Sequence, residues 1–70
     1  MVKQMEAFES DRLLSVRETS RLLGCSVATV WRRAADETLP QPLKIGGMTR
    51  WSKQEILDCI EDAKLTRVAA

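Results

Sequence analysis

The sequence predicts a mainly α-helical fold, with three helices and one small β-hairpin. Three local patterns carry this prediction: two serine-x-x-glutamate boxes, a glycine between two helical segments, and a Gly-Gly pair between two short alternating segments. A chain of 70 residues has enough apolar surface for one small core and too little for two. All of these elements are therefore expected to share a single core.

The first two helices are predicted to form a tight helix-turn-helix. Ser15 and Glu18 have the spacing of a capping box, so the first helix should begin directly after Ser15. Gly24 can adopt the left-handed backbone conformation that ends a helix. Ser26 is the expected N-cap of the second helix, which runs to about Ala35. A short connection that starts with glycine is typical of a helix-turn-helix.

A second capping box predicts where the third helix begins. Ser52 and Glu55 form the box, and Trp51 and Ile56 stand at the two positions of a hydrophobic staple. A staple fixes the angle at which the chain enters a helix, so the start of this helix should be well defined.

The hairpin is predicted between the second and third helices. Two short alternating segments, 43–45 and 48–51, flank Gly46 and Gly47. Glycine tolerates the positive φ angles of a tight turn, so the two segments should pair as a two-stranded wing.

The second helix has an apolar side and a basic side. At about 100° per residue, Val30 and Trp31 fall on the apolar side, whereas Arg32 and Arg33 fall on the opposite side. Trp31 is therefore expected to anchor the helix in the core while the arginines face outward. The predicted core residues are Leu22, Val30, Trp31, Trp51, Ile56 and Ile60.

The charges divide unevenly along the chain. Residues 12–51 carry seven basic and three acidic side chains, while the flanking segments 1–11 and 52–70 each carry more acidic than basic ones. An arginine pair alone is typical of an ordinary solvated face. Its place on the second helix of a tight helix-turn-helix, beside a basic hairpin, instead favours an anionic partner.

Composition argues against several classes of function. The chain has no histidine, and Cys25 and Cys59 do not have metal-ligand spacing, so we expect no metal, no cofactor and no catalytic residues. Apolar runs are too short to cross a membrane, and residues 1–10 lack the apolar region of a secretory signal. A non-enzymatic cytoplasmic protein with reduced thiols is the expectation.

The order of these patterns resembles a known family. A helix, a tight turn, a helix ending in W-R-R, a hairpin containing K-I-G and a W-S-x-x-E-I segment follow one another over about residues 12–63. This order is similar to that of the AlpA-type regulators and excisionases, small DNA-binding proteins related to the MerR DNA-binding domain. Cys59 departs from the family pattern, which often has a second aromatic residue there.

The resemblance implies a winged helix-turn-helix (MerR-like) domain over residues 12–64. The chain ends on either side, 1–11 and 65–70, are expected to be flexible tails. It places the recognition helix on the S-x-x-T-φ-[YW]-R pattern that starts at Ser26. The DNA contacts expected on this helix are Ser26, Ala28, Thr29, Arg32 and Arg33. Those expected on the wing are Lys44, Gly46, Gly47, Thr49 and Arg50, and Arg17 and Arg21 are candidates for backbone contacts.

Three functions are compatible with such a module. The leading hypothesis is a recombination directionality factor, an excisionase that binds and bends attachment-site DNA so that an integrase excises a mobile element. The alternative is an AlpA-type transcriptional regulator, and a more remote one is a protein-interaction adaptor. The expected partners are double-stranded DNA, a cognate integrase and further copies of the chain bound cooperatively on DNA, with no membrane and no small-molecule ligand. The expected location is the nucleoid of a bacterium or a phage-infected host.

Overall fold

The computed structural model describes residues 11–67, which form three helices and three strands. In chain order these are β1 (Leu13–Leu14), α1 (Val16–Leu23), α2 (Val27–Ala35), β2 (Leu43–Ile45), β3 (Met48–Ser52) and α3 (Lys53–Thr66). The three helices and the hairpin confirm the predicted fold class. Within residues 11–67, no helix combines the length and apolarity needed to cross a membrane.

The predicted caps are present. The Glu18 amide donates to Ser15 Oγ at 3.1 Å, and the Ser15 amide donates to Glu18 Oε1 at 2.8 Å, which completes the capping box of α1. Gly24 follows α1 with φ 71°, a conformation that glycine adopts without steric cost. The Glu55 amide donates to Ser52 Oγ at 3.1 Å at the start of α3. Local signals of this kind were sufficient to place all three helix starts.

The sheet has one strand more than the sequence predicted. β1 pairs antiparallel with β3, so the strand order is β1-β3-β2 rather than a two-stranded wing. Leu13 lies opposite Ser52, and Leu14 opposite Trp51. A two-residue strand is too short for an alternating pattern to be visible in the sequence, and only its partner strand makes it a strand.

Ordered contacts and helix are present just beyond both edges of the predicted domain, 12–64. Asp11, assigned to the N-terminal tail, accepts a hydrogen bond from the Ser52 hydroxyl at 2.5 Å and one from the Gln54 amide at 3.4 Å. At the other end, α3 continues to Thr66, past the expected boundary at residue 64. The remainder of the predicted tails, residues 1–10 and 68–70, lies outside the described residues.

The core forms where α2, β3 and α3 meet. Val30, Trp51 and Ile56 are fully buried, as expected, and Ala34 and Leu39 complete the cluster. Ile60 is half-buried against it. The Trp51 indole N–H donates to the Pro40 carbonyl at 3.1 Å, so this buried polar group keeps a partner.

Two predicted core residues are wrong. Leu22 is 41% exposed, because α1 directs Thr19 and Ser20 inward instead, and the Thr19 hydroxyl donates to the Ser15 carbonyl at 2.8 Å. Trp31 is 42% exposed. It lies about 100° around α2 from the fully buried Val30, so it occupies the edge of the apolar face and not its centre.

Candidate nucleic-acid interface

The outward face of α2 is centred on Arg32. This side chain is exposed and lies about 160° around the helix from each of the buried residues Val30 and Ala34. Ala28 and Ala35 flank it and are exposed as well. Because the alanine side chains are small, they leave room for a large partner such as DNA to contact the Arg32 guanidinium.

The structure separates the two arginines that the sequence treated as a pair. Arg33 Nη2 lies 3.1 Å from Asp36 Oδ2, and both side chains are 43% exposed. Arg33 Nε is buried and has no hydrogen-bond partner within residues 11–67. Arg32 makes no ion pair with any residue in the same range. Arg32 therefore offers its whole charge to a partner, whereas Arg33 is partly engaged at the end of its own helix.

Ser26 and Thr29 are joined at the start of α2. The Thr29 amide donates to Ser26 Oγ at 3.1 Å, and the two hydroxyl oxygens lie 2.9 Å apart in a further hydrogen bond. Thr29 is thus half-buried and part of the cap. The amides of the first turn point out of the helix end, where the helix dipole favours an anion such as a phosphate.

Trp31 connects the recognition helix to the wing. Its ring meets Trp51 edge-on, with centroids 5.2 Å apart and planes at 64°. Lys44 Nζ lies 5.9 Å from the centroid of the Trp31 ring and donates to Thr49 Oγ1 at 3.1 Å. A cation over an indole face is attracted by the ring quadrupole, so Trp31 holds Lys44 beside α2.

This role of Trp31 was missed in the sequence. The one available signal was its position at the edge of the apolar arc of α2, combined with the polar tip of the indole. Because the ring is 42% exposed and lies beside Lys44, Trp31 joins the candidate interface.

The wing turns at two glycines with positive φ, 52° at Gly46 and 85° at Gly47. This pair of angles matches the tight turn that continues the twist of both strands. Lys44 lies opposite Thr49, and Leu43 lies opposite Arg50. Since side chains alternate along a strand, Lys44 and Arg50 project from opposite faces of the sheet. The sequence assigned both to the wing as DNA contacts, and the structure places them on its two different faces.

Arg50 lies along its own strand. Its Nη1 donates to the Thr49 carbonyl at 2.9 Å, and its Nη2 lies 3.7 Å from Met48 Sδ. On α1, Arg17 and Arg21 are exposed, on the side turned away from the buried Thr19 and Ser20. These three cations lie on α1 and β3 and not on the outward face of α2.

A groove of about 610 Å³ lies between the α2–β2 loop and α3, and its charge is negative, opposite to that of the outward face of α2. Four carboxylates line it: Glu37, Glu55, Asp58 and Asp62. Cys59 also lines it, with its thiol 3.6 Å from the Thr38 carbonyl oxygen. A surface of this charge repels phosphates, so it marks a part of the molecule that DNA avoids. Residues 11–67 contain no group of three metal-ligating side chains suited to an ion.

Two carboxylates near the helix ends have lowered pKa values. The hydrogen bond from the Ser15 backbone amide lowers the pKa of Glu18 from its ordinary 4.5, with smaller contributions from Arg12 and Arg50. Hydrogen bonds from Thr38 lower the pKa of Asp36 from its ordinary 3.8, and Arg33 adds to the effect. Both groups therefore stabilise the fold in their ionised forms.

The family model described as a helix-turn-helix domain matches residues 13–64, about three quarters of the chain. Curated proteins and solved structures give no significant match. The match spans β1 to α3, so it includes the recognition helix and the wing together.

Proposed function

The chain belongs to the helix-turn-helix domain family, and from that premise we propose that it is an excisionase, a DNA-bending recombination directionality factor. In this role it binds attachment-site DNA and bends it so that an integrase excises a mobile element. The observation that carries the DNA-binding part is the exposed Arg32 face of α2, on the second helix of the motif and beside the wing.

The major groove is the expected position of α2. An α-helix fits this groove, and an arginine at its centre can donate two parallel hydrogen bonds to guanine O6 and N7. Arg32 is the side chain with that freedom, since it makes no ion pair within residues 11–67. The amides beyond the Ser26 cap would meet a phosphate at the groove edge. Arg32 then supplies sequence preference, and the cap supplies position.

Lys44 supplies affinity without sequence preference. It stands next to α2 on the Trp31 ring, where its ammonium group can reach the phosphates that border the same groove. Trp31 reduces the freedom of the lysine before DNA arrives, so less conformational entropy is lost on binding.

A single domain of this size reads few base pairs, so selection of one site in a genome requires neighbouring copies. The acidic groove supports such an arrangement, since the carboxylates of Glu55, Asp58 and Asp62 lie together and complement exposed cations outside the Arg32 face, such as Arg17 and Arg21 on α1. A head-to-tail contact between groove and basic surface need not close into a ring, so it can extend along DNA. We expect a monomer without DNA and cooperative binding to tandem sites.

Sedimentation and gel-shift titration test that assembly together. A tight dimer in the absence of DNA, or independent filling of adjacent sites, contradicts it. Asp58→Asn separates assembly from DNA contact, because it removes one carboxylate charge from the groove and leaves the outward face of α2 unchanged. We expect it to reduce cooperativity while the affinity of a single isolated site stays the same.

The excision role is tested in the cell that carries the gene. The gene is deleted, and excised circles of the neighbouring element are counted while the integrase transcript is measured. We expect the excised circles of the element to disappear while the level of the integrase transcript stays the same. If deletion changes the transcript and leaves excision per integrase unaltered, the protein acts as an AlpA-type regulator instead.

A pair of complementing variants makes this experiment specific. The wild-type gene or a Lys64→Ala variant, supplied in trans, should restore excision, because Lys64 lies at the far end of α3 in an exposed pair with Glu61. An Arg32→Ala variant should not restore it. Equal rescue by both variants contradicts a role for the α2 face.

A further inference from the structure

The tip of the wing carries two large apolar side chains in solvent. Ile45 and Met48 lie opposite each other in the last cross-strand pair, directly before the turn at Gly46 and Gly47. They are 45% and 47% exposed. A single exposed apolar residue is ordinary on a protein surface, but two that face each other at the end of a narrow projection form an apolar wedge. We call residues 45–48 the wing tip.

Cations lie on both sides of the wing tip. Lys44 projects from the sheet face that meets α2, and Arg50 projects from the other face, with its Nη2 beside Met48 Sδ. A DNA minor groove has the complementary layout, because its apolar sugar walls lie between two phosphate backbones. It is about 6 Å wide, so only a narrow element can enter it. The glycines of the turn have no side chains to widen the leading edge.

We propose that the wing tip enters the minor groove and that Ile45 and Met48 wedge between two base pairs, unstacking the step and bending the duplex. Isoleucine and methionine are among the side chains that open base steps in this way, and the bend is directed toward the major groove. The inference rests on the DNA binding in the proposed function and adds the source of the bend. The step under the wing is expected to be a flexible pyrimidine–purine step such as TA.

The test compares bend and affinity on one duplex of roughly 30 base pairs, selected from a randomised pool by the wild-type protein. Energy transfer between dyes at the two ends measures the bend. Ile45→Ser and Met48→Ser should each lose about half or more of the bend and bind about tenfold more weakly. Met48→Leu keeps an apolar wedge and should retain both properties.

Leu43→Ser is the matched control. Leu43 lies two positions back from Ile45 on the same face of β2 and has a similar exposure of 40%. Leu43 lines one edge of the acidic groove but is outside the wing tip, so on a duplex with a single site its variant should bend DNA like the wild type. All of these positions are exposed, so melting temperatures should stay close to that of the wild type. A 2-aminopurine at the step under the wing should brighten only with the wild type, Leu43→Ser and Met48→Leu.

The outcomes separate the wedge from the binding function. An unchanged bend in both serine variants at the wing tip overturns the wedge while DNA binding stands. An equal loss of bend in Leu43→Ser assigns the effect to the whole sheet face and overturns the role of the tip. Wild-type protein without salt-dependent affinity for duplex DNA would instead refute the proposed function itself.

Discussion

The surroundings of the two tryptophans differ although their rings touch. Trp51 is fully buried on β3, with its indole N–H bonded to Pro40, and it belongs to the core cluster with Val30 and Ile56. Trp31 is 42% exposed on α2, with its ring in T-shaped contact with Trp51 and with Lys44 over the ring. The difference shows that a large aromatic residue on an amphipathic helix can position an interface instead of filling a core.

Removing Trp51 is expected to have the largest effect. Trp51→Ala should cost about 3–5 kcal/mol of unfolding free energy, because the cavity lies at the centre of the cluster and the Pro40 carbonyl loses its donor. A domain this small has a total stability of similar size, so much of the protein should be unfolded. Chemical denaturation followed by circular dichroism measures the change. A melting temperature within a few degrees of the wild type would contradict the assignment of the core.

The next largest effect concerns binding. Arg32→Ala should cost about 1–3 kcal/mol of DNA-binding free energy and relax the preference at one base pair, with no change in melting temperature. Arg33→Ala should cost less affinity, since Arg33 is partly engaged with Asp36. Titrations on a selected duplex and its single-base variants provide the comparison, with Lys64→Ala as a control. A greater loss of affinity from Arg33→Ala would reverse the roles given to the two arginines.

Trp31→Ala sharpens the comparison between the tryptophans directly. It should cost about 1–2 kcal/mol of stability, less than Trp51→Ala because nearly half of the ring is already in water. The protein should remain folded but bind DNA more weakly, since Lys44 loses the ring that holds it. Trp31→Phe should recover part of both losses. If Trp31→Ala unfolds the protein as fully as Trp51→Ala, the two regions are not distinct.

Lys44 should account for about one counterion in the salt dependence of binding. Lys44→Ala is expected to reduce the slope of log K against log salt by about one, equally on selected and random duplexes. A loss confined to the selected sequence would mean that the wing reads bases. Comparison with Trp31→Ala shows whether Lys44 contacts a phosphate only when the Trp31 ring positions it. If it does, Trp31→Ala and Lys44→Ala should reduce the slope by the same amount.

The smallest expected effect is electrostatic and lies at the start of α1. Since the folded pKa of Glu18 is lowered from 4.5, its contribution to stability is complete above pH 4.5 and is lost as the pH falls through the folded value. Glu18→Gln should therefore make the free energy of unfolding fall less between neutral and acidic pH. Part of the pH dependence should remain in this variant, because the pKa of Asp36 is lowered as well. Thermal melts across this range check it. An identical pH profile in the variant would show that the capping carboxylate contributes nothing as an anion.

Much of the fold could be predicted because its signals are local. Each N-cap serine bonds to an amide three residues away, and the turn glycines adopt their own φ angles, so neither needs the rest of the chain. Val30 and Ile56 were also placed correctly, since they occupy the centres of their apolar arcs. The candidate interface was predicted in outline for the same reason: Arg32 lies opposite the centre of the α2 arc.

Residues at the edges of those arcs could not be placed in this way. Leu22 and Trp31 are apolar and stand toward the apolar side of their helices, but the buried residues are Thr19 and Ser20 on α1 and Trp51 on β3. Helical periodicity predicts the side of the helix on which a residue lies. Whether that residue is buried depends on which other elements pack against that side.

By itself the sequence determined the helix starts, the turns, the basic face of α2 and the family to which the chain belongs. The tertiary structure alone decided that Leu13–Leu14 forms a third strand, that Trp31 holds Lys44 beside α2, and that the Lys44 face of the wing is the one that meets this helix. Caps and turns depend on hydrogen bonds and dihedral angles within a few residues. Strand pairing, packing of one ring on another and the sidedness of the wing depend on contacts between segments that only folding brings together.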